Sequence, residues 1–521
     1  MNLNTQKNNN IALQVWAISF LAVLISFLWQ GNKEFSLWDE GFLWYGVQRV
    51  LLGEVPIRDF MAYDPGRYYW SAALVGLFGN QGIIGVRAAA AVFQALGLAV
   101  GLFLVAQSTK NKSRSETIFW LLSSVTFLAW MFPRHKIFDI SVSIFLVGVL
   151  THLINKPIPK RYFIAGGCVG LAAVFGRNHG LYGAVGSLGV IAWIRIKHHP
   201  HPGFIKATAI WGVGVLLGFL PIILMALLVP GFAIAFWESV RFLLEQNATN
   251  LPLSVPWPWT INFAAMSVAD AARSVLTGLL FMGTLVFGVL AIAAAEWQRA
   301  RGKSVPPALV ATAFLAFPYA HFAFSRADIS HLAQGIFPLL IGCMVLLSQA
   351  RGKIKWPLAV VLCAASVWLT FLYQPGWQCS TSKQCVTVEI SGSELQVARG
   401  TANDIDLLRH LAAEYAPNGQ TFIAAPLWPG AYALLQRKAP MWEIYALFPR
   451  SKAFEKSEIE RIEASKPGFA LIFDLPLDGR DDLRFKNTHP LINQYIQNHY
   501  HLLPKSGDPP YQIYTARSLS Q

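Results

Sequence analysis

SLWDEGFLWYGVQRVLLGEVPIRDFMAYDPGRYYW, residues Ser36 to Trp70, follows directly on the apolar run from Ile11 to Trp29. It sets Asp39, Glu40, Asp59 and Asp64 with Arg49, Arg58 and Arg67 among tryptophans and tyrosines. What so charged a stretch means depends on the run before it. That run is longer than a secretory h-region, has only Lys7 ahead of it and lacks a small-x-small cleavage site behind it. It therefore reads as a retained transmembrane helix, and the charged stretch lies at a membrane edge. The composition agrees: 54% of residues are hydrophobic, 13% are charged and the mean hydropathy is +0.42, as in integral membrane proteins rather than soluble enzymes.

Further apolar segments long enough to cross ~30 Å of hydrocarbon lie at about 83–106, 117–132, 138–154, 162–176, 180–194, 207–229, 273–295, 305–322, 332–349 and 356–373, which with the first makes about eleven spans. Basic groups follow the even-numbered ones: Lys110, Lys112 and Arg114; Lys156, Lys160 and Arg161; Arg195, Lys197 and Lys206; Arg299, Arg301 and Lys303; Arg351, Lys353 and Lys355. By the positive-inside rule these loops are cytoplasmic, which puts the N-terminus in the cytoplasm and the C-terminal tail outside. The expected fold class is a polytopic α-helical membrane protein of the cytoplasmic (inner) membrane. Its membrane domain would cover 1–375, with a first outer loop at about 31–80, and an extracytoplasmic (periplasmic) α/β domain would cover 376–521.

The same topology explains the net charge of +14. From residue 380 onward there are fifteen basic and fifteen acidic residues, leaving 27 basic against 13 acidic ones in the membrane part. The excess is a topology signal, and nucleic-acid binding has no support. Among the 13 acids only Glu116 and Glu296 fall near the cytoplasm, so the remaining carboxylates collect on the outer side. Cys168, Cys343 and Cys363 lie in apolar spans and read as core residues. Cys379 and Cys385 flank a short outer turn where a small-loop disulfide is permitted, although spacing alone does not decide it. No CxxC or His/Cys pattern indicates zinc.

The other outer junctions are polar too: FPRHKIFD with Arg134, His135, Lys136 and Asp139; GRNHG with Arg177 and His179; a segment from about 230 to 272; and FSRADISH with Arg326, Asp328 and His331. Singly, each is most simply a solvated loop end or a snorkelling anchor. Several on one side point instead to a hydrated, outward-facing cavity walled by protein. In the tail, DIDLLRHLAAEYA has helical spacing with Asp404 as cap candidate, PGAYALLQ and SEIERIEAS look helical, and QTFIAA and FALIFDL read as buried strands. Asp404 and Asp406 form a DxD, but a helix N-terminus favours acids without a metal.

Within the opening stretch, Phe42, Tyr45, Val50 and Leu51 with Arg49 opposite fit an amphipathic helix along the interface, broken afterwards by Gly53, Pro56 and Pro65-Gly66. Asp39 and Glu40 stand at its start, where a carboxylate suits general-base work toward a hydroxyl or amine. Such a base needs an electrophile, and outside the cytoplasm the natural activated group is one carried on a lipid phosphate. Arg58, Arg67, Arg134, Lys136, Arg177 and Arg326 offer charge-assisted donors for that phosphate as it leaves.

The Trp-Asp-Glu-Gly opening, Tyr45, VLLGEVPIRDF, YDPGRYYW, GLAAVFGRNHG and the folded tail together resemble the GT-C membrane glycosyltransferases, in the branch of protein O-mannosyltransferases and aminoarabinose transferases. The resemblance covers most of the chain in layout. It implies transfer of a sugar from a polyprenyl-phosphate donor to a glycan, lipid or protein acceptor at the outer membrane face, with Asp39 as catalytic base and Glu40 its neighbour. It also implies phosphate or substrate binding by Arg58, Asp64, Arg67, Arg134, Lys136, Arg177, His179, Arg326 and His331. Many relatives carry Lys-Pro-Pro after the first-loop helix; this chain has Asp64-Pro65-Gly66-Arg67 there, so no lysine ligand carries over. Some members use a divalent metal and others none, which leaves the cofactor open. The competing class is a multi-pass transporter of a polar or anionic substrate, but no matching halves of the kind left by inverted repeats are visible.

Overall fold

The computed structural model describes residues 3–79, 82–109, 114–197, 202–246, 248–381, 385–504 and 511–516; the expected cytoplasmic residues Lys110 and Lys112 lie outside them. In chain order the helices up to the tail are α1 (Leu3–Gln30), α2 (Asp39–Leu51), α3 (Gly66–Phe78), α4 (Ile83–Ser108), α5 (Arg114–Trp130), α6 (Ile137–Asn155), α7 (Pro159–Phe175), α8 (Arg177–Lys197), α9 (Phe204–Gly218), α10 (Leu220–Leu228), α11 (Phe232–Gln246), α12 (Val268–Ala300), α13 (Pro307–Ser325), α14 (Ile329–Gly335), α15 (Phe337–Gln349) and α16 (Gly352–Thr370). Contacts group the chain into two compact units: Met1–Gly31, Ala90–Ala233 and Ala248–Trp377 in one; Asn32–Ala89, Ile234–Asn247 and Gln378–Gln521 in the other.

The first unit is helical. All the apolar segments expected to span fall on helices, and among the described residues six helices are long and apolar enough to do so, or eight if α9–α10 (bent by 51°) and α14–α15 (57°) each count as one broken span. Pro221 and Pro338 sit at the starts of α10 and α15, where a missing N–H is tolerated and the preceding helix cannot continue unbroken. The expected spans on α5, α7 and α8 are shorter or more polar: α5 and α7 have 17 residues each, and α8 opens on Arg177, Asn178 and His179. The unit is thus helical, with six to eight membrane-length apolar spans among the described residues where the sequence predicts about eleven. Glycines let α7 and α9 touch backbone to backbone: a Cβ at Gly166 would come within 1.9 Å of the Trp211 carbonyl oxygen, and one at Gly218 within 2.0 Å of that of Gly167. Small residues at such an interface gain packing contacts that lipid cannot supply. Cys168 lies exposed on α7 rather than in a core, whereas Cys363 is buried.

The second unit joins the first-loop region to the tail. The tail contributes α17 (Pro375–Thr381), α18 (Arg399–Tyr415), α19 (Pro429–Leu434), α20 (Lys452–Ser465), α21 (Phe485–Thr488) and α22 (Pro490–His499), with a β1 (Cys385–Ile390)–β2 (Ser393–Ala398) hairpin. Its sheet has the order β3 (Ile423–Ala425), β4 (Phe469–Phe473), β6 (Tyr511–Ala516), β5 (Tyr500–Leu502); β3 and β4 are parallel and the other pairs antiparallel. Ile423, Ile462, Ile472, Phe485 and Ile496 form its core. QTFIAA and FALIFDL supply β3 and β4, as the apolar runs predict. α18, however, starts at Arg399, so Asp404 does not cap it; its carboxylate accepts a hydrogen bond from the Tyr511 hydroxyl at 2.8 Å. Cys379 and Cys385 form a disulfide with Cα atoms 5.5 Å apart. The first-loop chain adds on beside β2: the Glu34 amide donates to the Gln396 carbonyl at 2.7 Å, and the Gln396 amide to that of Asn32 at 2.9 Å.

Candidate active site

α2 begins at Asp39, so Asp39 and Glu40 occupy its first turn, where exposed N–H groups and the helix dipole favour negative charge. Residues Glu40 to Val47 are buried, and α2 is therefore a core helix of its unit rather than one lying along an interface. The reason is close backbone packing. A Cβ on Gly41 would come within 2.4 Å of the Gly430 Cα in α19, and the Gly430 amide donates to the Leu37 carbonyl at 2.8 Å.

The two carboxylates of the first turn have different partners. Glu40 is held in a fork by Arg87, with Nε–Oε1 at 2.6 Å and Nη2–Oε2 at 2.7 Å; both residues are buried, and Arg87 also donates to the Glu34 carbonyl. A two-point pair of this kind fixes both position and orientation. Asp39 accepts from the Tyr445 hydroxyl through Oδ1 at 2.8 Å. The Tyr445 ring packs edge-on against Phe42 at 5.5 Å, Phe42 against Tyr63 at 4.8 Å, and the Arg67 guanidinium lies over Tyr63 at 4.6 Å. Arg67 and Asp64 are themselves buried. Aromatic rings thus connect the carboxylate end of α2 with a buried arginine.

Farther along the same loop the charges pair with each other. Arg58 binds Asp59 through Nε and Nη2 at 2.8 and 2.7 Å, and Asp59 accepts the Val55 amide at 2.7 Å. Burial pushes the Asp59 carboxyl up, but Arg58 and the Val55 amide outweigh it and hold the group below the ordinary value. Glu54 takes Arg49 and Lys438 as partners, and it too ends below its ordinary value because these bonds outweigh burial. Burial pushes the Tyr45 phenol up to about 12, so it stays neutral and accepts the Ala439 amide at 3.0 Å.

The remaining expected site residues belong to the first unit. Arg134 donates to the Gln30 carbonyl at 2.9 Å, and the Lys136 amide closes a turn on Pro133 just before α6. Arg177 opens α8. His179 is buried, with Nε2 at 3.0 Å from Asp139 Oδ1 and Nδ1 at 2.8 Å from the Tyr319 hydroxyl. A neutral ring that donates to the carboxylate accepts from the phenol, giving a three-member chain. Arg326 donates to Asp328 at 3.0 Å and to the Leu251 carbonyl at 3.1 Å; Asp328 caps α14 by accepting the His331 amide at 2.9 Å, and its Oδ1 also lies 2.9 Å from His331 Nδ1. His179 and His331 each stack on Phe322, with centroids 5.7 and 6.3 Å apart.

Sequence reasoning missed Arg87 and Tyr445. Arg87 had a signal, a lone arginine in the apolar run GIIGVRAAAAV. Tyr445 had none, since it lies in an irregular stretch about 400 residues away from the carboxylate that it meets. Among the described residues, the one group of three metal-ligating side chains whose ligand atoms lie close together is Glu34, Cys379 and Cys385, and the disulfide engages both sulfurs.

No family model and no curated protein matches the sequence. The fold, in contrast, has solved counterparts. ArnT from Cupriavidus metallidurans, in a crystal structure with undecaprenyl phosphate, matches with a TM-score of 0.57 at 13% identity, over 97% of this chain and 98% of that one; its apo structure gives the same values. The oligosaccharyltransferase AglB from Archaeoglobus fulgidus matches with a TM-score of 0.47 at 12% identity, over 97% of this chain and 74% of that one. The chain thus shares the fold of ArnT along nearly its whole length.

Proposed function

We propose that the chain is a glycosyltransferase that moves a sugar from a polyprenyl-phosphate donor to an acceptor on the outer face of the cytoplasmic membrane. The observation that carries this reading is Asp39: a carboxylate in the first turn of a buried helix, oriented by a phenol, beside an immobilised Glu40–Arg87 pair. The full-length fold likeness to a protein solved with undecaprenyl phosphate supports a lipid-phosphate donor. Transport draws no comparable support.

Asp39 takes the proton of the acceptor hydroxyl or amine as that group attacks the anomeric carbon. The bond from that carbon to the phosphate oxygen breaks, and polyprenyl phosphate leaves with its negative charge. Arg67 and Arg58, in the same unit as Asp39, are the proposed phosphate ligands, and Asp64 is proposed to line the substrate site; Arg134, Lys136, Arg177, His179, Arg326 and His331 are proposed for donor or substrate binding on their residue types alone. Glu40 keeps the first turn of α2 in place. This reading also carries the topology of about eleven spans, a cytoplasmic N-terminus, and a division into a membrane domain over 1–375 and a periplasmic domain over 376–521.

The test is transfer by the purified protein in lipid nanodiscs, given a panel of synthetic polyprenyl-phosphate sugars, together with mass spectrometry of envelope glycans and lipid-linked sugars from cells with and without it. Release of polyprenyl phosphate that depends on the protein, and an envelope sugar lost in its absence, is expected. Absence of both would refute the reading.

A further inference from the structure

The segment Ala439–Arg450, APMWEIYALFPR, has no regular secondary structure, yet it is fastened along its length. The Ala439 amide donates to the Tyr45 hydroxyl at 3.0 Å; Trp442 Nε1 donates to the Ile57 carbonyl at 2.9 Å; the Trp442 carbonyl accepts the Met61 amide at 2.9 Å; and the Ala446 amide binds the Pro426 carbonyl at 2.9 Å. Between the two side chains that reach the first-loop region, Trp442 and Tyr445, stands Glu443, which turns into the tail. There Arg450 binds its Oε1 at 2.6 to 2.7 Å, His489 Nε2 lies 2.8 Å from Oε2, and the Glu443 amide donates to Glu458 at 3.0 Å. Arg450 in turn lies over the rings of Phe242 and Phe454, at 3.5 and 4.5 Å.

Fixing an irregular segment costs about 1–2 kcal/mol per residue in backbone entropy, so so many specific fastenings call for a reason. We propose that residues 439–450 form a positioning strap, anchored in the tail by Glu443, whose Tyr445 hydroxyl fixes the Asp39 carboxylate as an oriented proton acceptor. An ionised carboxylate only accepts hydrogen bonds and a phenol supplies one, so the contact favours the charged form of Asp39 and pins one of its two oxygens. Charged or titratable groups near this turn include Glu40 with Arg87, and Tyr63 with Arg67 beyond Phe42. The strap makes the tail part of the site's chemistry, and it rests on the sugar-transfer reading only for what Asp39 then does.

The experiment uses the full-length protein in detergent micelles and dicyclohexylcarbodiimide, which modifies protonated carboxyls; the pH of half-modification of Asp39 is read by peptide mass spectrometry. In Tyr445→Phe the midpoint should rise by about one pH unit, as loss of one hydrogen bond to a charged group predicts, with melting unchanged. Trp442→Phe, which removes the fastening to Ile57 and keeps Tyr445, should move it in the same direction by less. A midpoint unchanged in Tyr445→Phe, or one that moves only in variants that melt early, overturns the strap. In the transfer assay, Tyr445→Phe should lower kcat by roughly tenfold with KM little changed, and raise the acid limb of the pH profile with the midpoint. If the wild type transfers no sugar, the functional reading falls, and the midpoint still decides whether Tyr445 fixes Asp39.

Discussion

Asp39 and Glu443 lie in the same compact unit, Asp39 bonded to the Tyr445 hydroxyl and Glu443 two residues before Tyr445 in the chain, and each has a partner of a different kind. Glu443 is buried in the tail between Arg450 and His489, with positive or polar donors on both oxygens. Burial pushes its carboxyl up, and His489 and Arg450 outweigh this to hold it below the ordinary glutamate value. Asp39, for its part, accepts the Tyr445 hydroxyl through Oδ1 at 2.8 Å. A carboxylate closed in by cations is suited to holding structure, since its charge is already neutralised. A phenol orients a carboxylate oxygen without bringing a cation of its own. Glu40, adjacent to Asp39 but forked by Arg87, belongs with Glu443 in this division.

The largest expected effect breaks the structural side of the comparison. Glu443→Gln and Glu40→Gln each remove the anion of a buried pair, which should cost about 3–5 kcal/mol. Because the Glu443 carboxyl lies below its ordinary value, the stability that it supplies is complete above that value and is lost as pH falls through the folded value. Thermal melts of wild type and Glu443→Gln should therefore converge toward acid pH. A constant gap at all pH values would mean that Glu443 does not act through its charge.

How much of this was legible in the sequence depended on whether the signal was local. Apolar runs predicted the helices well, because helix formation and apolar burial both act over neighbouring residues, and β3 and β4 were visible for the same reason. The number of spans was less legible: among the described residues six to eight helices are long and apolar enough to cross a membrane, because α5 and α7 are 17 residues long and α8 opens on polar residues. The charged turn Asp39-Glu40 stood out by residue type alone. Its partners did not: Arg87 was hidden in an apolar run, and Tyr445 in a segment with neither period 2 nor period 3.6. Phe42, Tyr45, Val50 and Leu51 with Arg49 opposite suggested an interface helix, whereas Glu54 takes up Arg49 within the unit and Glu40 to Val47 are buried.

A smaller effect sharpens the comparison at Arg326. Its hydrogen bonds to Asp328 and Leu251 are those of an anchor at the start of α14. If it also grips a donor phosphate, Arg326→Lys should raise the donor KM several-fold, since an ammonium cannot reproduce a fork, with little change in melting. An unchanged KM would leave it an anchor. The smallest effect belongs to the partly exposed Arg58–Asp59 pair: Asp59→Asn should change stability by only ~0–1 kcal/mol. A larger loss in the melt would show that the turn closed by Asp59 on Val55 matters more than the ion pair.

The central claim is that Asp39 is the proton acceptor of a sugar transfer, and Asp39→Asn tests it most directly because the amide keeps the size of the side chain and can still accept from Tyr445. With one polyprenyl-phosphate sugar that the wild type uses, turnover by purified Asp39→Asn should fall by ~10²-fold or more while melting stays within a few degrees of wild type. Turnover near the wild-type rate in a folded Asp39→Asn protein would contradict the account.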